Sequence, residues 1–179
     1  MAEATEVPIA GGKRRIDRIL EDSFVEGLGD LEMDELRRRR DLSRAEREYL
    51  SLVRRLLHGR RDILQAELER RRGNGGSVLD RLPEILADDP GPSRGEAPTL
   101  AIPDEELTLA RRRVERLLAD VALSDLENIS DADLETGLAR LDEEERSVSE
   151  ARSRVLAVHD ALQDELKERY RVKVRDLED

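Results

Sequence analysis

The chain has 179 residues, of which 42% are charged and only 2% aromatic: Phe24, Tyr49 and Tyr170. So few large rings cannot fill a thick globular core; abundant Leu, Ala, Glu and Arg point instead to long amphipathic helices packed along narrow seams. The lack of cysteine excludes disulfides and thiolate chemistry, and a net charge of −11 argues against direct DNA binding, which calls for clustered positive charge.

In chain order, residues 1–12 read as a disordered tail without the apolar core of a signal peptide. Residues 13–72 form a first helical repeat. Within it Leu50, Val53, Leu57, Leu64 and Leu68 fall on one stripe at helical spacing. Ser43 followed by Glu46 fits a capping box, which predicts a long helix from Arg44 to Arg72, with Gly73 as its C-terminal cap. The run Arg37–Arg40 reads as a solvated face. Residues 73–103 hold five of the eleven Gly and most of the Pro, and read as a flexible linker with one helical turn around Val78–Leu86. Residues 104–179 form a second helical repeat, whose stripe is Val148, Ala151, Val155, Leu162 and Leu166. No apolar run reaches the roughly 18 residues of a membrane span, so the expected location is the cytoplasm.

Sliding the chain over itself by 98 residues aligns 15–72 with 113–170 without a gap, giving 15 identities in 58 positions. About five would arise by chance at this biased composition. The expected fold is therefore all-α: an antiparallel, coiled-coil-like two-helix hairpin from an internal duplication, with shorter N-terminal helices in each repeat. Each copy alone would expose its stripe, and pairing about a pseudo-twofold axis buries both.

Polar positions match as well, which a seam does not require. Ser51, Arg54 and Asp62 correspond to Ser149, Arg152 and Asp160. At about 100° per residue these offsets share an arc of roughly 80°, and it also takes in His58, matched by Leu156, and Arg47, matched by Glu145. In a paired hairpin the two ridges flank a groove. An Arg fork suits phosphate or the O6/N7 edge of guanine, an Asp carboxylate accepts from guanine N1–H and N2–H₂, and Ser donates to phosphate. One set on each helix suits a twofold-symmetric ligand such as a cyclic dinucleotide, with stacking supplied by Arg planes or by the bases themselves. The same residues also read as an ordinary solvated face, in which each Arg–Asp pair contributes under about 1 kcal/mol.

At these residues the sequence resembles the RsiG-type anti-sigma factors of filamentous actinobacteria, marked by E-x(3)-S-x(2)-R-x(3)-Q-x(3)-D, twice in duplicated forms. The first copy here reads Arg47, Ser51, Arg54, His58, Asp62 and the second Glu145, Ser149, Arg152, Leu156, Asp160. Ser, Arg and Asp match in both copies, the acidic position in the second alone, and the Gln position in neither. The resemblance implies cyclic di-GMP as ligand, bound as an intercalated pair of molecules. It further implies that the loaded protein holds a WhiG-type sigma factor away from RNA polymerase until falling ligand releases it for sporulation. The ligand-binding candidates are Ser51, Arg54, His58, Arg60, Arg61, Asp62, Glu145, Ser149, Arg152 and Asp160, with Arg60 and Arg61 as phosphate-facing helpers. No nucleophile–base pair, phosphate-binding Gly loop or metal-ligand spacing suggests an enzyme. The rival reading is a structural coiled-coil adaptor with no nucleotide ligand.

Overall fold

The computed structural model describes residues 14–73, 103–118, 126 and 128–178. The predicted tail 1–12 and the linker turn around Val78–Leu86 lie outside them. Among the described residues the fold is all-α. The order is α1 (Arg15–Ile19), 3-10 turns at Asp22–Phe24 and Leu28–Asp30, α2 (Met33–Arg71), α3 (Asp104–Leu117) and α4 (Asp131–Glu178). Each long helix is thus preceded by a shorter one, and the starts of α2 and α4 lie 98 residues apart.

The predicted start of the first long helix at Arg44 is corrected. Helix α2 begins at Met33, and Ser43 is an interior residue whose Oγ donates to the Arg40 carbonyl at 2.8 Å. No Gly or Pro interrupts 33–58, Asp34 and Glu35 occupy the first turn, and Glu35 pairs with both Arg38 and Arg39 one turn on. These features carry the helix straight through the expected cap. A side-chain N-cap does exist at the start of α4: Ser130 Oγ accepts from the Asp133 N–H at 3.1 Å and donates to Asp133 Oδ2 at 2.6 Å. Gly73 closes α2 as expected. It takes φ +74°, which only glycine adopts without strain, and its N–H donates to the Arg70 carbonyl.

Burial along the long helices repeats every seven residues. Leu36, Ser43, Leu50, Leu57 and Leu64 are buried in α2, and Leu134, Leu141, Val148, Val155 and Leu162 in α4. Heptad spacing is the mark of helices packed along a shared seam, and the 98-residue register carries one set onto the other. Val53, Leu68 and Leu166 are buried as the stripes predict, whereas Ala151 of the second stripe is only half-buried.

The chain divides into two compact units, Met1–Glu48 with Ala151–Asp179, and Tyr49–Glu150. Each therefore contains half of α2 and half of α4. In the second unit the two halves run antiparallel: Arg54 pairs with Glu145, Arg61 with Asp142 and Arg72 with Glu135. In the first unit Arg37 donates to Tyr170 Oη at 2.8 Å, and Arg39 donates to the Phe24 carbonyl while lying 5.4 Å from that ring. The run Arg37–Arg40 is thus part of the packing as well as a solvated face.

Each unit repeats the other's polar framework. In the first, Arg15 of α1 pairs with Glu46; in the second, Arg113 of α3 pairs with Glu144. In the first, Arg169 binds Glu165 through Nε and the Leu28 and Leu31 carbonyls through its terminal nitrogens. In the second, Arg71 binds Glu67 and the Leu126 and Ile129 carbonyls in the same manner. All these partners are related by 98 residues. The arginines thus add charge-assisted hydrogen bonds to carbonyls of the turn ahead of a long helix.

Glu46 and Glu67 are buried at seam positions and are neutralised there, Glu46 by Arg15 and Glu67 by Arg70 and Arg71. The hydrogen bond from Arg70, joined by that from Arg71, outweighs burial and pulls the Glu67 carboxyl down from 4.5 to about 2. A depressed folded-state value means that the contribution is complete above the unfolded value and is lost as pH falls from 4.5 toward 2. Chemical denaturation at stepped pH is expected to show stability declining through this window. Glu67→Gln is expected to flatten the decline and to be the less stable protein at pH 7.

Candidate functional site

The predicted polar ridge of α2 exists as one helical face. Ser51, Arg54, His58, Arg61 and Asp62 fall within about 100° of one another. Arg60 does not join them: it lies about 120° from Arg54, on the other flank of the apolar stripe. Its proposed role as a helper beside Arg61 has no support from this placement.

In the second unit the ridge meets α4 at Glu145. The Oε1 atom of this carboxylate accepts from Ser149 Oγ at 2.8 Å and from Arg54 Nε at 3.0 Å, and lies 3.3 Å from His58 Nε2. The Ser149 hydrogen bond, then those of Arg54 and His58, hold the carboxyl below its ordinary range against the opposing effect of burial. Residues from both motif copies thus share one cluster: Arg54 and His58 from the first, Glu145 and Ser149 from the second. Arg61 is committed to an exposed ion pair with Asp142 at 2.9 Å. Asp62 is half-buried and has no hydrogen-bond or ion-pair partner among the described residues. Its carboxylate oxygens reach solvent.

In the first unit, Arg152 is half-buried, and Asp160 is 62% exposed with His159 Nδ1 at 3.4 Å. Position 47, the counterpart of Glu145, is Arg, so the carboxylate that gathers the second unit's cluster has no equivalent here. This departure from the pattern is visible in the sequence. The partner of Glu145 is not, because the pairing runs between residues 91 positions apart.

Helix α2 carries the whole first motif copy, and comparison with known families bears on that segment. Residues 22–86 match the RsiG-like family. That stretch includes Ser51, Arg54, His58, Arg60, Arg61 and Asp62. Glu145, Ser149, Arg152 and Asp160 lie beyond the RsiG-like segment. No curated protein matches the chain. Among the described residues no helix is long and apolar enough to cross a membrane.

Proposed function

We propose that this protein is a non-enzymatic, cyclic-di-GMP-responsive anti-sigma factor. When loaded with the dinucleotide, it binds a WhiG-type sporulation sigma factor and keeps it from RNA polymerase. Two molecules of ligand fit the motif's two copies. The observation that carries the reading is the cluster at Glu145, where donors from both copies gather at one place on an RsiG-like chain. Asp62 adds a half-buried carboxylate with no internal partner, suited to guanine N1–H and N2–H₂. Arg60 plays no part in this version of the site. His58 and Leu156 replace the family's Gln, and since the imidazole can hydrogen-bond and the Leu cannot, the two copies contact ligand unequally.

The rival, a structural coiled-coil adaptor, draws on the ion pairs Arg54–Glu145 and Arg61–Asp142, which also tie helix to helix. Titration calorimetry separates the two. Cyclic di-GMP is expected to give a saturable heat, with cyclic di-AMP bound far more weakly. No heat from either nucleotide would leave the adaptor.

A further inference from the structure

The arginine fork of the second unit is held from behind. Arg54 gives only its Nε–H to Glu145, while Nη1 and Nη2 have no partner among the described residues and the side chain is 42% exposed. Three donors converge on Oε1 of Glu145, fixing the carboxylate on α4 and through it the guanidinium on α2. A flexible arginine must surrender rotamer freedom when it binds; one already fixed has surrendered it in advance.

The carboxylate also bears on what the fork can bind. Its negative charge offsets that of Arg54, so the spot offers directed N–H groups with little net positive charge. A phosphate is poorly served by that arrangement, and would also lie close to a carboxylate. A neutral base edge with two acceptors, such as guanine O6 and N7, is well served. Adenine presents an amino donor where guanine has O6, and the fork has no acceptor to offer it.

We propose that Glu145 is a positioning residue that aims Arg54 at a guanine base rather than at phosphate. This rests on the nucleotide reading above. The arrangement belongs to the second unit, because position 47 is Arg where position 145 is Glu.

A double-mutant cycle on the full-length chain tests it, with calorimetry using cyclic di-GMP and cyclic di-AMP. Glu145→Gln is expected to weaken cyclic di-GMP binding about tenfold, to narrow the gap between the two nucleotides, and to cost nothing further in an Arg54→Ala background. The Arg54 Nε–H signal is expected to exchange slowly in the unliganded wild type and rapidly in Glu145→Gln, which provides a readout without ligand. An equal loss in both backgrounds would mean that Glu145 touches the ligand itself, and overturns the proposal. So would unchanged or tighter binding, the latter because it would make Glu145 a competitor for Arg54. If the wild type binds neither nucleotide, the nucleotide reading fails and takes this inference with it.

Discussion

Asp62→Ala combined with Asp160→Ala is expected to abolish measurable uptake of cyclic di-GMP while leaving the helical circular-dichroism signal intact. The two carboxylates are the matched acidic residues at the end of the two motif copies, and both are available. Asp62 has no partner among the described residues, and Asp160 has His159 alone, at 3.4 Å. A carboxylate accepting from both N1–H and N2–H₂ of guanine contributes about 1–3 kcal/mol. Losing two such contacts lowers affinity by roughly thirtyfold or more. The fold should be indifferent, since no ion pair within either unit depends on Asp62, and Ala is the better helix former. A double variant that binds normally would show that the site lies elsewhere.

Arg71→Ala is expected to produce a large loss of stability, because the side chain is only 18% exposed. Four contacts converge on this side chain: Glu67, the Leu126 and Ile129 carbonyls, and Asp131. Its removal leaves the buried Glu67 carboxylate with Arg70 alone and strips two carbonyls of their donor. Removing one partner of such a network costs about 2–4 kcal/mol. For a chain of this size that corresponds to a fall in melting temperature of roughly 5–15 °C. Arg169→Ala should behave alike, because Arg169 holds the Leu28 and Leu31 carbonyls and Glu165 in the equivalent geometry. A thermal shift under about 2 °C for both would mean that these arginines decorate the units rather than brace them. The phenotype differs in kind from the aspartate variant: stability falls here, affinity falls there.

Much of the architecture was legible before any coordinates. Heptad-spaced leucines announced the buried stripes, and the 98-residue register anticipated that α2 and α4 begin at matching positions. The start of α2 was misplaced because Ser43 and Glu46 are good capping residues that here face a seam. A buried serine can satisfy its hydroxyl on the preceding turn, and Glu46 is neutralised by Arg15, 31 residues earlier. Local pattern cannot foresee a partner at that separation. Arg71 and Arg169 were among the matched residues, yet their role was unreadable, because their partners are backbone carbonyls that carry no sequence signature. The site was legible as a list of side chains on an arc. What the list lacked was the identity of the carboxylate that Arg54 meets.

On the proposed function, nucleotide controls the grip on a sigma factor. The most direct measurement is co-sedimentation of the purified chain with a WhiG-type sigma factor, with and without cyclic di-GMP. A complex is expected in the presence of the dinucleotide that dissolves when it is withdrawn, with no such response in the Asp62→Ala, Asp160→Ala variant. A complex of equal strength under both conditions, or none under either, would contradict that function.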